Sequence, residues 1–353
     1  MEAKPRAFLE SLLSTPGTSG YEVKVQDLVR AYLADVADEI TTDLHGNVIA
    51  CKNPGQPLRL MFAGHCDQIG LIVSQIDENG FIYFQPIGGW DPNQLIGQRV
   101  TVWASAGPVN GVCSRKPIHL QDENERKQVV PLKDLWIDIG SKSQEETRMR
   151  VKVGDSITLQ LGLQEMGNDM INAPACDDRS GVWVVIEAFR RASREKLNCS
   201  LYVVSTVQEE VGLRGARTAA FAIDPHVGIA VDVTHATDCP TIDKRQQGEI
   251  AIGKGPVVFR GPNMNPHVVD RLVQLSDRRG APYQIAAIGR AASNDTNAMQ
   301  INRGGVATGC VAIPNRYMHS AVEVISLNDI EDAANLLSEF ALSCNTAEEF
   351  VPK

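Results

Sequence analysis

Leu201 to Ala216 reads LYVVSTVQEEVGLRGA. It begins as a run rich in β-branched residues, Val203, Val204, Thr206 and Val207, the pattern of a buried strand. The run stops at two adjacent acids, Glu209 and Glu210, and opens into a turn marked by Gly212 and Gly215. In an open α/β sheet the carboxyl ends of the strands face the crevice where ligands bind, so paired acids at such an end mark a candidate site. Two glutamates on a solvated loop give the same letters, and this stretch alone does not separate the two readings.

Working outward, the same grammar recurs. Leu58 to Ala63 reads as a strand and runs into Gly64, His65, Cys66 and Asp67. Val227 to Val233 is a strand carrying Asp232. Val306 to Ile313 is a strand, followed after a short loop by His319. Asp177 and Asp178 precede a helical pattern over Arg179 to Arg191. Helices are also expected over 4–34 in two pieces broken at Pro16-Gly17, and over 216–221, 266–278, 295–301 and 327–344. Between 68 and 162 the texture changes to short alternating segments separated by Asn79-Gly80, Gly88-Gly89 and Asn110-Gly111. That spacing predicts a small all-β, barrel-like domain inserted into one α/β core. The expected organisation is therefore residues 1–67 as the first part of the core, 68–162 as the insert, and 163–353 as the second part.

Composition narrows the function. A net charge of -9 argues against a general nucleic-acid binder. No apolar run approaches the ~20 residues of a membrane span. The first residues lack the basic start and long apolar centre of a secretory signal, so a cytoplasmic location is expected. Eight cysteines, none in a CxxC pair, read as reduced and mostly buried thiols.

Five segments thus deliver carboxylates or imidazoles to comparable positions. Histidine with carboxylates suits zinc, cobalt or manganese. One histidine from each of two distant segments suits two ions that share a carboxylate, an arrangement able to clamp an attacking water and a polarised carbonyl. Taken singly the residues have ordinary uses. Asp177-Asp178 could cap the helix, Asp232 could serve a turn, and His65 could be structural. Cys66 and Cys176 flank candidate ligands but read as small buried residues.

The motifs GHCDQIG (64–70), APACDDRSG (173–181), VQEEVGLRGA (207–216), AVDVTHATD (230–238) and NRYMHSAVE (315–323), in this order, resemble the tetrahedral, or TET-type, metallo-aminopeptidases. PGTSGYE (16–22), KPIHL, LWIDIG and NRGGVATG extend the likeness over nearly the whole chain. That family includes glutamyl, leucyl and lysyl types, and some relatives carry an endoglucanase label. The resemblance implies an α/β fold with a mixed-sheet, phosphorylase/hydrolase-like metallopeptidase core. It implies two divalent metal ions per subunit, zinc or cobalt first and manganese also compatible. His65 would hold one ion and His319 the other, Asp177 would bridge them, and Glu210 and Asp232 would each complete one ion. Glu209 would be the general base, and Asp67 would hold the far nitrogen of His65. The substrates implied are short peptides with a free N-terminus. The insert would serve oligomerisation, with dimers assembling to a dodecamer. Two positions depart from the family pattern. Gln68 stands where an acid is usual, and Ala321 replaces a proline, which is expected to loosen the loop carrying His319.

Other chemistries remain to be weighed. An amidase or deacylase would keep the ligands and change the pocket. A glycosidase needs two flanking carboxyl groups rather than metals, and usually an aromatic cleft; here aromatics are 5% of the chain. A silent assembly protein would have no need of Glu209. The pocket for the first side chain is not readable from the sequence. Arg290, Asn294 and Thr296 sit in a loop that could line it, and His235 could stand in its wall. A surface arginine is the commoner case, and the preferred residue stays open.

Overall fold

A computed structural model of the chain describes residues 1–352. These fall into two compact units. One comprises Met1–Asp67, Leu163–Met318 and the residues from Val322 onward; the other comprises Gln68–Gly162 with His319–Ala321. His319, read from the sequence as part of the third segment, thus groups with the second unit.

The first unit is built on an eight-stranded mixed sheet. Its order is Glu39–Thr42, Val48–Lys52, Ser200–Thr206, Arg59–His65, Val227–His235, Ala307–Asn315, Val257–Arg260 and Gln284–Ala287. The four central strands, from Ser200–Thr206 to Ala307–Asn315, run parallel. Strands buried on both faces read as continuous apolar runs, which is how Leu201 to Val207 and Leu60 to Ala63 look. Helices cover both faces. Ala3–Ser14, Val23–Leu33, Cys176–Ala192, Pro266–Arg279 and Leu327–Ser343 pack on one, around Phe62, Trp183, Phe189 and Phe340. Arg214–Ile223 and Asp295–Gln300 pack on the other through Ala216, Ala219, Ala220 and Met299.

Parallel register brings the strand ends level. Thr206 pairs with His65, and Ala230 with Ala63, so Asp232 stands at the height of His65. The helix Cys176–Ala192 lies unusually close to this point. A methyl carbon added at Gly64 would lie 2.8 Å from the main chain of Gly181 and Val182. Gly64→Ala is therefore expected to push the helix off the strand and to destabilise by about 1–3 kcal/mol. Thermal melting measures this; an unchanged midpoint would mean the contact relaxes freely.

The second unit contains a closed barrel of antiparallel strands, in the order Gly70–Ile76, Ile82–Ile87, Trp136–Asp138, Gly107–Ser114, Arg99–Ala104 and Ser156–Leu159. Alternation puts Leu71, Val73, Val100, Val102, Ile137 and Ile157 inside. Closure leaves no free sheet edge. The helices between its strands are short, Gln144–Arg150 being the longest.

Among the described residues all eight cysteines are free, and only Cys239 is not fully buried. No helix there is long and apolar enough to cross a membrane. Two features lie outside the sequence reading. Val257–Arg260 is a sheet strand, and Gln164–Glu165, Met170–Ala173 and Glu323–Ser326 form a small separate sheet. Segments of two to four residues are too short to show a period.

Candidate metal centre

His65, the last residue of its strand, is 1% exposed. Its Nδ1 lies 3.2 Å from the main-chain carbonyl of Asp67. Its Nε2 lies 3.1 Å from Asp177 Oδ1 and 3.8 Å from both Glu209 Oε2 and Asp232 Oδ1. Yet Nε2 makes no hydrogen bond. In the neutral imidazole, an Nδ1–H donated to that carbonyl leaves the Nε2 lone pair turned toward the acids, which is the tautomer a metal needs.

Asp177 and Asp178 head the helix Cys176–Ala192 with non-helical dihedrals, and the peptide between them is cis. The structure divides their tasks. Asp178 does the capping: its Oδ1 accepts from Gly181 N and its Oδ2 from His65 N. Asp177 sits against the imidazole, and its own N–H donates to Glu323 Oε2 at 2.8 Å. Ligand atoms of His65, Asp177 and Glu210 lie within 4.8 Å of one another, as do those of His65, Asp178 and Asp232. With both Asp178 oxygens already accepting main-chain N–H groups, Asp177 is the better placed donor.

The paired glutamates sit past the strand, where Gln208 takes a left-handed φ of 56° and the chain leaves the sheet. The Asp67 carboxylate holds this turn. It accepts from Glu209 N at 3.0 Å, Glu210 N at 3.2 Å and Ser19 Oγ at 2.6 Å. The carboxylate also faces His65, the partner expected from the sequence, and against the effect of burial that imidazole helps hold its pKa below the ordinary value. Its Oδ1 stays 3.6 Å from the imidazole, while the main-chain carbonyl makes the closer approach. The PGTSGYE segment has a purpose here as well. Ser19 braces Asp67, and Glu22 Oε1 accepts from Gly20 N and Gln208 N.

Beneath the loop lies Arg179, fully buried. Its guanidinium donates to the carbonyls of Cys66, Leu12, Thr15 and Gly17, tying the first helix to the His65–Asp67 turn.

In the loop of residues 289–294, Arg290 is exposed, and Asn294 caps the helix Asp295–Gln300 by accepting from Thr296 N. His235 is exposed at its strand end. The residue of this region that acts on the cluster is Asp295, which the sequence reading missed. It is 3% exposed, its Oδ2 accepts from Thr206 Oγ1 at 2.6 Å, and its Oδ1 has no hydrogen-bond partner. Its charge raises both Glu209 and Asp232. Behind Asn294 it reads as part of a helix cap, so the letters gave no signal. Glu323 was missed for another reason: it opens the strand Glu323–Ser326, which is too short to show a period.

Electrostatics set the demand. Burial, then the charges of Asp177 and others, pushes Asp232 from 3.8 up to about 7. Burial carries Asp295 to about 6 and holds Glu209 and Asp178 well above the ordinary range. Burial disfavours charge on His65 too, but Glu209, Asp177 and Asp67 outweigh it and hold the imidazole well above its usual value. Without a cation, protons occupy the centre. Buried acids of like charge converging on one imidazole fit a divalent ion.

A pH dependence follows. These carboxyls keep protons in the folded protein that the unfolded chain releases near 3.8. Their contribution to stability is thus complete below that value and is lost as pH rises through about 7. The melting temperature of metal-stripped protein should fall, relative to metal-loaded protein, between about pH 4 and about pH 7. A gap between the two forms that stays constant with pH would contradict the assignment.

Residues 46–336 match the family described as M42 glutamyl aminopeptidase. The chain belongs to that family. The lysyl aminopeptidase of Pyrococcus furiosus is 38% identical over 334 residues, covering 93% of this chain and 94% of its own. Among solved structures, the TET aminopeptidase of a marine sediment Thaumarchaeota archaeon superposes with a TM-score of 0.94 at 34% identity, covering 99% of both chains. The Pyrococcus horikoshii TET1 peptidase, described as assembling into a tetrahedron or a large octahedral shell, gives a TM-score of 0.86 at 30% identity, over 96% of this chain and 100% of its own. As an M42 member this chain is a metallo-aminopeptidase, a hydrolase that removes residues from peptide N-termini. Its mixed sheet with a separate β-barrel is the fold expected from the TET resemblance.

Proposed function

We propose that this aminopeptidase works with two divalent ions per subunit and with Glu209 as general base. The observation that carries the reading is His65 Nε2, buried among Asp177, Glu209 and Asp232 and hydrogen-bonded to none of them. His65, Asp177, Glu210 and Asp232 would hold the ions, with Asp177 shared. His319 is assigned as the second imidazole on its motif. Bound there, a pair of divalent ions polarises a peptide carbonyl and makes a water acidic enough to attack near neutral pH.

The chain's own residues supply the proton traffic. Glu209 is buried yet is not required as a ligand, and burial raises it toward the range in which a carboxyl both takes and returns a proton. It would accept the proton of the attacking water and deliver it to the departing amine. Asp67 fixes both glutamates by their main chain, so that base and ligand keep their separate directions. The excess of acids suits the ammonium group of a free peptide N-terminus, which restricts action to the first residue. Zinc or cobalt fits the donor set, and manganese is compatible. A homo-oligomer, dimers assembling toward a dodecamer, is proposed on likeness to the TET1 peptidase, as is the use of the barrel unit in that assembly.

The testing experiment is a panel of aminoacyl-p-nitroanilides offered to metal-stripped protein with zinc, cobalt or manganese restored. Metal-dependent cleavage of one or more members is expected. Bound metal without cleavage would favour an amidase or deacylase. Failure to bind any metal would end the two-metal reading.

A further inference from the structure

The second unit contains a short segment whose purpose the barrel alone does not explain. Gly88, Gly89 and Trp90 follow the strand Ile82–Ile87, and Gly88 takes a left-handed φ of 73°. Gly89 does not, so it has no conformational need to be glycine. The need is spatial. A methyl carbon added there would lie 3.1 Å from His319 Nδ1 and 3.5 Å from Cε1. The Nδ1–Cε1 edge of the imidazole therefore rests on the bare main chain of Gly89.

The glycine segment is held. Trp90 Nε1 donates to the Gly70 carbonyl at 2.9 Å, and its ring packs on the barrel core. Asp91 caps the helix Pro92–Leu95, whose Leu95 is fully buried in that core. These hold the segment after the glycine pair, and the pairing of Ile87 with Gly70 holds it before. His319 comes from irregular chain, and both it and Tyr317 adopt left-handed φ values, 58° and 65°. Such a backbone does not fix a ring by itself. A ligand must reach its ion within roughly 0.2 Å, and a side chain at 89 would displace the ring by a few tenths of an ångström.

We propose that Gly89 is a positioning residue for His319: the barrel's Gly88-Gly89-Trp90 segment sets the reach of the second imidazole and so governs the affinity of the ion that His319 holds. This rests on the reading of His319 as a ligand. The test separates the two. Full-length protein is stripped and titrated with zinc or cobalt, with bound metal measured by calorimetry and elemental mass spectrometry. Wild type is expected to take two equivalents and His319→Ala one. Gly89→Ala is expected to keep the tight ion and weaken the other about 10–100-fold, the usual cost of losing a ligand's support. Gly162→Ala, where an added carbon meets nothing within 4 Å, should match wild type. Wild-type affinity for both ions in Gly89→Ala, alongside loss of one in His319→Ala, overturns the proposal and leaves the ligand reading intact. Two equivalents retained in His319→Ala overturn the ligand reading itself. Should Gly89→Ala not fold, Trp90→Phe decides: it removes the hydrogen bond to Gly70 and part of the ring that packs on the barrel core, and selective weakening of one ion supports the proposal while unchanged affinity overturns it.

Discussion

Glu209→Gln is expected to keep its metal and lose about 10²–10⁴-fold in kcat. The substitution preserves shape and the main-chain hydrogen bond from Glu209 N to Asp67, so the turn carrying Glu210 should stay in place. What it removes is the capacity to accept a proton. Glu209 Oε2 stands 3.8 Å from His65 Nε2, farther than Asp177 Oδ1 at 3.1 Å. It is near enough to serve a water in the centre without being needed as a donor. Metal content and kcat must be read together. Full metal with a collapsed kcat is the signature of a base. Loss of metal would make Glu209 a ligand and return the base role to Glu210 or another acid. A kcat near wild type would remove Glu209 from the chemistry.

Arg179→Met should be the most destabilising substitution considered, at about 3–5 kcal/mol. The methionine fills similar volume but leaves the carbonyls of Leu12, Thr15, Gly17 and Cys66 without their donor. Each is a buried or half-buried acceptor, and stranding one costs roughly 1–3 kcal/mol. Arg179 meets no carboxylate directly; burial pushes it down only to about 10, so it stays charged at neutral pH. Its loss should free the first helix and loosen the His65–Asp67 turn together. A fall of at least about 5 °C in the melting temperature is expected, with weakened metal binding. A midpoint within a degree of wild type would show that water replaces the guanidinium without cost.

Much of this was legible in the letters, because strand ends are where apolar runs meet acids. His65, Glu209, Glu210 and Asp232 stand at or just inside the point where such a run stops, and parallel pairing makes those points coincide. Spacing made the two aspartates before the helix legible as a pair only, and it was the motif resemblance that singled out Asp177. Which one caps and which faces the imidazole depends on a main-chain turn that no spacing reveals. Asp295 was hidden because an acid behind Asn294 has an adequate local use. The small sheet and Val257–Arg260 were hidden by brevity, since their pairing comes from distant segments rather than from their own pattern. What the letters did not reveal about Asp67 is its second task, because those hydrogen bonds run to main-chain groups 142 and 143 residues away.

The strand order also dictates a history. Arg59–His65 lies between Ser200–Thr206 and Val227–His235, neither of which exists when the ribosome has made only the first 65 residues. The barrel, whose strands all fall between Gly70 and Leu159, can close during that wait by contacts of its own. The sheet then completes late, and the acids that meet His65 arrive with it. A nascent chain should therefore have its barrel before its catalytic centre, and remain inert toward neighbouring N-termini until most of its length has emerged.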